Sequence, residues 1–166
     1  MTWPEIELWK QAIQAKRPLV HHLSNYVTLN DCANITIAAG GVPIMGDAIE
    51  EVVEIIKQAQ ALVLNLGTPN QQRVAAMLKA GKVAQALGKP IIFDPVGVGV
   101  STARMRWGEE ILAEVRPTII KGNHGELAAL ANVFGFSCGV DAFPSYQLPL
   151  EKLKELQAKL NAVIVA

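Results

Sequence analysis

Cysteine is scarce in this chain, with two in 166 residues, and Cys32 and Cys138 have neither metal-ligand spacing nor a partner-rich neighbourhood. That excludes a disulfide framework and a cysteine metal centre, and leaves two small buried hydrophobes in a reducing compartment. Net charge is missing too. Fifteen basic residues offset fifteen acidic ones, with a sequence pI of about 6.8, so nothing draws the chain to nucleic acid or to an anionic membrane. No apolar stretch is long enough to span a bilayer, and Met1-Thr2-Trp3-Pro4-Glu5 is not a secretory signal. Internal repeats, linkers and low-complexity segments are absent as well. The expectation is one soluble, cytoplasmic domain.

What the chain does have is apolar mass: 51% hydrophobic residues, 18% charged, and a mean hydropathy of +0.26. A chain of this length with that composition can bury a sizeable core. Helical and strand patterns alternate along it. A capping box at Thr2 and Glu5 starts a helix carrying Ile6, Trp9 and Ile13, and Pro18-Leu19-Val20 then reads as a strand. Residues 27–39 read as a helix stopped by Gly40-Gly41, and Val42 to Met45 as a strand. Asp47 and Glu50 are expected to cap a helix whose inner face is Ile49, Val52, Val53 and Ile56. Ala61 to Leu66 follows as a strand, then a helix after Asn70 with Val74, Met77, Leu78 and Leu87 inward. Ile91 to Phe93 is a strand, Thr102 to Val115 a helix capped by Ser101, and Thr118 to Ile120 a strand. Asn123 opens a helix to about Asn132, and a loop containing Gly135, Gly139 and Pro144 leads to a helix over Leu150–Leu160. Trp3, Trp9 and Trp107 fit helix faces packed on the sheet.

The strands are continuous apolar runs, which marks a mostly parallel sheet covered by helices on both faces, an α/β domain. The last run, Ala162 to Ala166, looks like a core strand with nothing after it. The expectation is therefore a domain incomplete on its C-terminal side.

In an open parallel sheet, ligands bind beyond the carboxyl ends of the strands. The residues that follow the strands are polar or glycine: His21, His22, Ser24 and Asn25; Met45 and Asp47; Asn65, Gly67 and Thr68; Asp94, Gly97 and Gly99; Lys121, Gly122, Asn123 and Glu126. Asp94-Pro95-Val96-Gly97-Val98-Gly99 places a carboxylate and two glycines after a buried strand. Those glycines can serve the turn itself or let backbone N–H groups approach an anion. The spacing is neither the GxGxxG of a dinucleotide fold nor the GK[ST] ending of a P-loop. Asn123 with Glu126 three residues on is a good helix start in its own right. Alternatively, Glu126 and Asp94, on neighbouring strand ends, face one Mg²⁺ and its phosphates while Lys121 adds a cation. His21 and His22 read as hydrogen-bonded structural histidines, and His124 as a solvated one.

Taken together, Pro18 to His22, Ser24-Asn25, Asn30 to Asn34, Val42 to Met45, Leu62 to Thr68, Asp94 to Gly99 and Lys121-Gly122-Asn123 with Glu126 closely resemble the hydroxyethylthiazole kinase family, of the ribokinase-like superfamily. The matching blocks run in order from about residue 16 to the end. The resemblance implies ATP-dependent phosphorylation of the hydroxyl of 4-methyl-5-(2-hydroxyethyl)thiazole in thiamine salvage, with Mg²⁺ as cofactor. It implies a thiazole pocket at Met45, bound largely through its backbone, with Asn25 nearby. Lys121 stands where the family has a basic residue on ATP, and Asn123 and Glu126 match an N-x-x-E element for Mg²⁺ and phosphate, supported by Asp94. A homotrimer with thiazole sites between subunits is implied too. The family's Thr-Gly segment and its Gly-rich anion-hole loop ending in a cysteine have no counterpart before Ala166. No catalytic residue is therefore assigned to Cys32 or Cys138, and little or no turnover is expected of this chain alone. Two alternatives stay open: a kinase of another small alcohol such as a hydroxymethylpyrimidine, and a non-catalytic subunit that binds thiazole or full-length protomers.

Overall fold

A computed structural model describes residues 3–131 and 150–166. Thr2 of the expected capping box, Asn132, Cys138 and the loop with Gly135, Gly139 and Pro144 lie outside them. The elements run α1 (Trp3–Lys16), β1 (Leu19–Leu23), α2 (Leu29–Ala38), β2 (Val42–Ile44), α3 (Val52–Gln58), β3 (Ala61–Asn65), α4 (Gln71–Ala86), β4 (Ile91–Asp94), a 3₁₀ turn (Val98–Val100), α5 (Thr102–Val115), β5 (Ile119–Lys121), α6 (His124–Leu130), α7 (Leu150–Leu160) and β6 (Val163–Val165). The six strands form one sheet in the order β2-β1-β3-β4-β5-β6, and every pair is parallel. All carboxyl ends therefore open on one edge.

The chain leaves β1 toward β2 and then crosses back over β1 to β3, so its direction of travel reverses between β1 and β3. Right-handed crossovers turn that reversal into a change of face. His21, Leu62, Leu64, Ile91, Phe93 and Ile120 share one face by register. They are buried with Val74, Met77, Ala80, Ala84, Ile111 and Val115 of α4 and α5. Helices α3, α4 and α5 pack side by side over this face. His22 points the other way and meets Thr36 of α2 through its Nε2 at 3.2 Å, so α2 flanks the opposite face. The expected α/β fold with a parallel sheet and flanking helices is what the chain forms.

Local chemistry starts several helices where the sequence places them. Asn70 accepts a hydrogen bond from Arg73 N, Ser101 from Arg104 N, and Asn123 from Glu126 N. Four expectations need correction. Helix α1 forms, but it buries no residue, and Trp3 and Trp9 are exposed, so its apolar stripe does not pack on the sheet; only Trp107 packs against the core. Asp47 and Glu50 do not cap α3, which starts at Val52 with no side-chain cap. Leu87 lies at the C-cap of α4 and is exposed rather than inward. The apolar run at the end of the chain pairs as edge strand β6 on β5 but leaves Val163 and Val165 exposed, so it is not the core strand expected. Among the described residues no helix is long and apolar enough to cross a membrane.

Candidate functional site

The crevice between β1 and β3, where the strand order reverses, is where a doubly wound sheet offers space for a ligand. Asn25, just after β1, is buried and fully engaged. Its Oδ1 accepts from Val27 N at 2.9 Å and Thr28 N at 3.0 Å, and its Nδ2 donates to Thr28 Oγ1 and to Asn65 Oδ1, both at 2.9 Å. Two donors and two acceptor positions are all used, so the side chain holds the loop that leads into α2. Asn65 Oδ1 also accepts from Gly67 N at 2.9 Å. A Cβ on Gly67 would lie 2.7 Å from that of Asn25, so only glycine lets the loops after β1 and β3 come this close.

Met45 directly follows β2 and is half-buried. The next residue is pinned by His21, whose Nε2 donates to Gly46 O at 2.6 Å. Burial lowers the pKa of His21 and of His22, opposed at His21 by the bond to Gly46, and Nδ1 of each ring is buried without a protein partner. Both imidazoles are therefore held neutral, as structural histidines. His124, by contrast, is exposed at the start of α6.

The second cluster sits at the ends of β4 and β5. Asp94 is paired in register with Asn65, whose side-chain amide favours its charged form. Lys121 Nζ lies 3.2 Å from Asp94 Oδ2, with the lysine 62% exposed and the aspartate 16%. Glu126 completes a capping box with Asn123, its Oε2 accepting from Asn123 N at 2.9 Å. Its Oε1 accepts from Gly97 N at 2.8 Å, across 29 residues of chain. Gly97 has φ +65, a left-handed conformation that favours glycine, and there it turns its N–H toward Glu126. So the helix start is real, and the same carboxylate also fixes the loop after β4.

Burial raises the pKa of both carboxyls. For Asp94 the nearby Lys121 and the amide of Asn65 oppose the shift; for Glu126 the Gly97 and Asn123 amides oppose it, while the charge of Asp94 adds to it. Two partly desolvated carboxylates against one exposed ammonium leave a net negative, all-oxygen donor set. That is chemistry a hard divalent cation relieves. Among the described residues no group of three or more His, Cys, Asp or Glu side chains gathers into a metal cage. Mg²⁺ does not need one, because it is usually held by one or two carboxylates together with substrate phosphates.

The sequence-predicted residues thus fall at two places, Asn25 and Met45 after the neighbouring strands β1 and β2, and Asp94 with Lys121, Asn123 and Glu126 at the ends of β4 and β5, with Asn65 of β3 between them. Two arginines escaped the sequence reading. Arg104 Nη1 donates to Leu66 O at 3.2 Å and Val96 O at 3.0 Å. Arg73 is buried and paired with Asp47 at 2.7 Å. Each stands three residues after a helix cap, where a positive charge opposes the helix dipole. That local misfit was the available signal.

Comparison with known proteins bears on the family and the fold. The chain matches the model of the hydroxyethylthiazole kinase family over residues 10–166. It is 45% identical over 152 residues to a hydroxyethylthiazole kinase of Thermoanaerobacter pseudethanolicus, which covers 92% of this chain and 58% of that protein. It is 48% identical over 132 residues to one of Alkaliphilus metalliredigens, covering 80% of this chain and 48% of that protein. The solved structure of a hydroxyethylthiazole kinase protein from Pyrococcus horikoshii OT3 superposes with a TM-score of 0.81 at 34% identity, covering 98% of this chain and 61% of that one. The chain thus spans about three fifths or less of the length of these relatives. Matched by the family model almost from end to end, this chain belongs to the hydroxyethylthiazole kinase family.

Proposed function

We propose that the protein takes part in transfer of the γ-phosphoryl of ATP to the primary hydroxyl of 4-methyl-5-(2-hydroxyethyl)thiazole, in thiamine biosynthesis. One observation carries the reading: a line of polar side chains, Asn25 bonded to Asn65, Asn65 in register with Asp94 and Asp94 bonded to Lys121, crosses the carboxyl ends of β1, β3, β4 and β5. It joins the crevice at the strand reversal to the loop around Gly97. An acceptor alcohol at one end and a triphosphate at the other would then be held in register by one set of side chains.

On this reading the acceptor lies against Met45, with Asn25 holding the adjacent loop rather than offering a free donor. Lys121 leaves Asp94 for the nucleotide phosphates, a move that its exposure permits. Asn123 keeps the start of α6 directed at them. Asp94 and Glu126 would hold Mg²⁺, which when bound neutralises charge on the transferring phosphates. Glu126 also keeps the Gly97 loop in place from below. A trimer with acceptor pockets shared between subunits goes with the same reading.

Because the chain spans 58% of the Thermoanaerobacter relative, each substrate is tested by binding, with turnover followed alongside. Calorimetric titration should show saturable 1:1 binding of the thiazole alcohol, outcompeting a hydroxymethylpyrimidine. No saturable binding at millimolar alcohol would remove the acceptor assignment. Preference for the pyrimidine would change the substrate and leave the phosphate side standing.

A further inference from the structure

Arg73 is 2% exposed, a rare state for a guanidinium, and every direction of its fork is used. Its Nε and Nη2 donate to Asp47 Oδ2 at 3.2 and 2.7 Å. Its Nη1 donates to Thr68 Oγ1 at 3.0 Å and Thr68 O at 3.3 Å. The guanidinium carbon Cζ lies over the Tyr26 ring, 3.8 Å from its centroid. These three partners belong to three different loops, those that leave β1, β2 and β3. Tyr26 and Thr68 are joined again by a bond from Tyr26 N to Thr68 Oγ1 at 3.3 Å. Thr68 has a φ of +43, a left-handed backbone that a β-branched residue avoids unless its surroundings hold it there. Together the loops and the first turn of α4 bound a cleft of about 200 Å³, lined in part by Tyr26, Asp47, Ile49 and Arg73.

The position is unfavourable for the helix alone. A cation three residues after the Asn70 cap faces the positive end of the α4 dipole. What it gains is a planar group that reaches a carboxylate, a carbonyl, a hydroxyl and an aromatic face at once, which a lysine ammonium cannot do.

We infer that Arg73 is the positioning residue of the acceptor pocket, clamping the loops after β1, β2 and β3 into one rigid rim beside Met45. The inference rests on the acceptor assignment above for its effect on affinity, but not for the clamp itself. Two measurements on the protein separate the two ideas. In Arg73→Met, amide hydrogen exchange should quicken at residues 26–28, 46–48 and 67–68 and stay unchanged in Ile91–Phe93 and Ile119–Ile120. The affinity for the thiazole alcohol should fall at least tenfold while that for Mg·ATP stays within twofold. Arg73→Lys, which keeps the charge but not the fork, should recover the melting temperature without recovering alcohol affinity. If Arg73→Met does not fold, Asp47→Asn cuts the clamp from its exposed side, and exchange should quicken at 46–48. Exchange that quickens across the whole sheet, or equal loss of both affinities, overturns the inference in favour of a general structural role. Unchanged exchange at all three loops overturns it outright. If wild-type protein binds no alcohol, the acceptor assignment falls, and the localised exchange still decides the clamp.

Discussion

Replacing Asn65 by Asp puts the polar line across the strand ends under a load that can be calculated. Asn65 is buried, accepts from Asn25 and Gly67, and lies beside Asp94 as its register partner. An aspartate keeps both bonds and sets a second carboxylate beside that of Asp94. Two unit charges about 4 Å apart at an effective dielectric of about 20 repel by about 4 kcal/mol. The alternative is for one carboxyl to take a proton, which at pH 7 costs about 4 kcal/mol from an ordinary pKa near 3.9. The two limits agree, so Asn65→Asp should cost about 3–4 kcal/mol at pH 7, and each pH unit of acidification should return about 1.4 kcal/mol. Near pH 5 the cost should be about 1.5 kcal/mol, with the protonated carboxyl donating to the other. The exposed Lys121 can offset only about 0–1 kcal/mol of it. In the swapped pair, Asn65→Asp with Asp94→Asn, amide and carboxylate exchange places and the repulsion disappears. Urea unfolding at pH 7 and pH 5 for wild type, both single variants and the pair completes the cycle, with a coupling of about 2–3 kcal/mol expected at pH 7. Single effects that add to within about 0.5 kcal/mol, or an Asn65→Asp cost that does not change with pH, would refute the reasoning.

Gly81 of α4 faces Val115 of α5, and a Cβ there would stand 2.5 Å from its Cγ1; Gly81→Ala should therefore lower the urea midpoint, overpacking by about 1–3 kcal/mol outweighing a helix-propensity gain of about 1 kcal/mol. A stabilised Gly81→Ala would show that the two helices separate easily. The buried His21 and His22 have folded pKa values below 6.5, so the unfolded chain binds protons first as pH falls below about 6.5 and stability drops, by at most about 1.4 kcal/mol per pH unit for each histidine. Asp94 and Glu126, whose pKa values are raised, act in the opposite sense, adding stability as pH falls toward their ordinary range. Comparing wild type with His22→Gln cancels that contribution, and the variant should show a shallower loss between pH 6.5 and 5.5; an equal slope would mean that His22 titrates normally in the fold. Glu126→Ala should cost about 2–3 kcal/mol through the two bonds lost to the Gly97 and Asn123 amides, and should weaken Mg·ATP binding while sparing the thiazole alcohol. Unaltered nucleotide affinity in calorimetry would take Glu126 out of the phosphate side.

Much of this protein is written within a few residues at a time. The runs Ala61 to Leu66 and Ile91 to Phe93 are apolar on both faces because parallel strands are covered on both, so the sheet is legible in the residue pattern alone. Caps at Asn70, Ser101 and Asn123 act over three residues, and each starts its helix as read. The strand-end rule assembles Asn25, Met45, Asp94, Lys121, Asn123 and Glu126 from their positions along the chain. Where the reading failed, the deciding contact was distant. Asp47 has the residue type and spacing of a cap, but Arg73, 26 positions later, takes its carboxylate, and α3 begins without one. Trp3 and Trp9 keep helical periodicity, which reports that a stripe exists and not whether anything covers it. The capping box at Asn123 predicts a helix start, whereas the reach of Glu126 to Gly97 depends on β4 and β5 being neighbours. The sequence by itself determined the elements, their order and the polar character of their ends, because periodicity, caps and turns are short-range. The order β2-β1-β3-β4-β5-β6, the place of Asn65 between Asn25 and Asp94 and the burial of Arg73 against three loops were decided only by the tertiary structure, because those contacts exist only once strands far apart in the chain lie side by side.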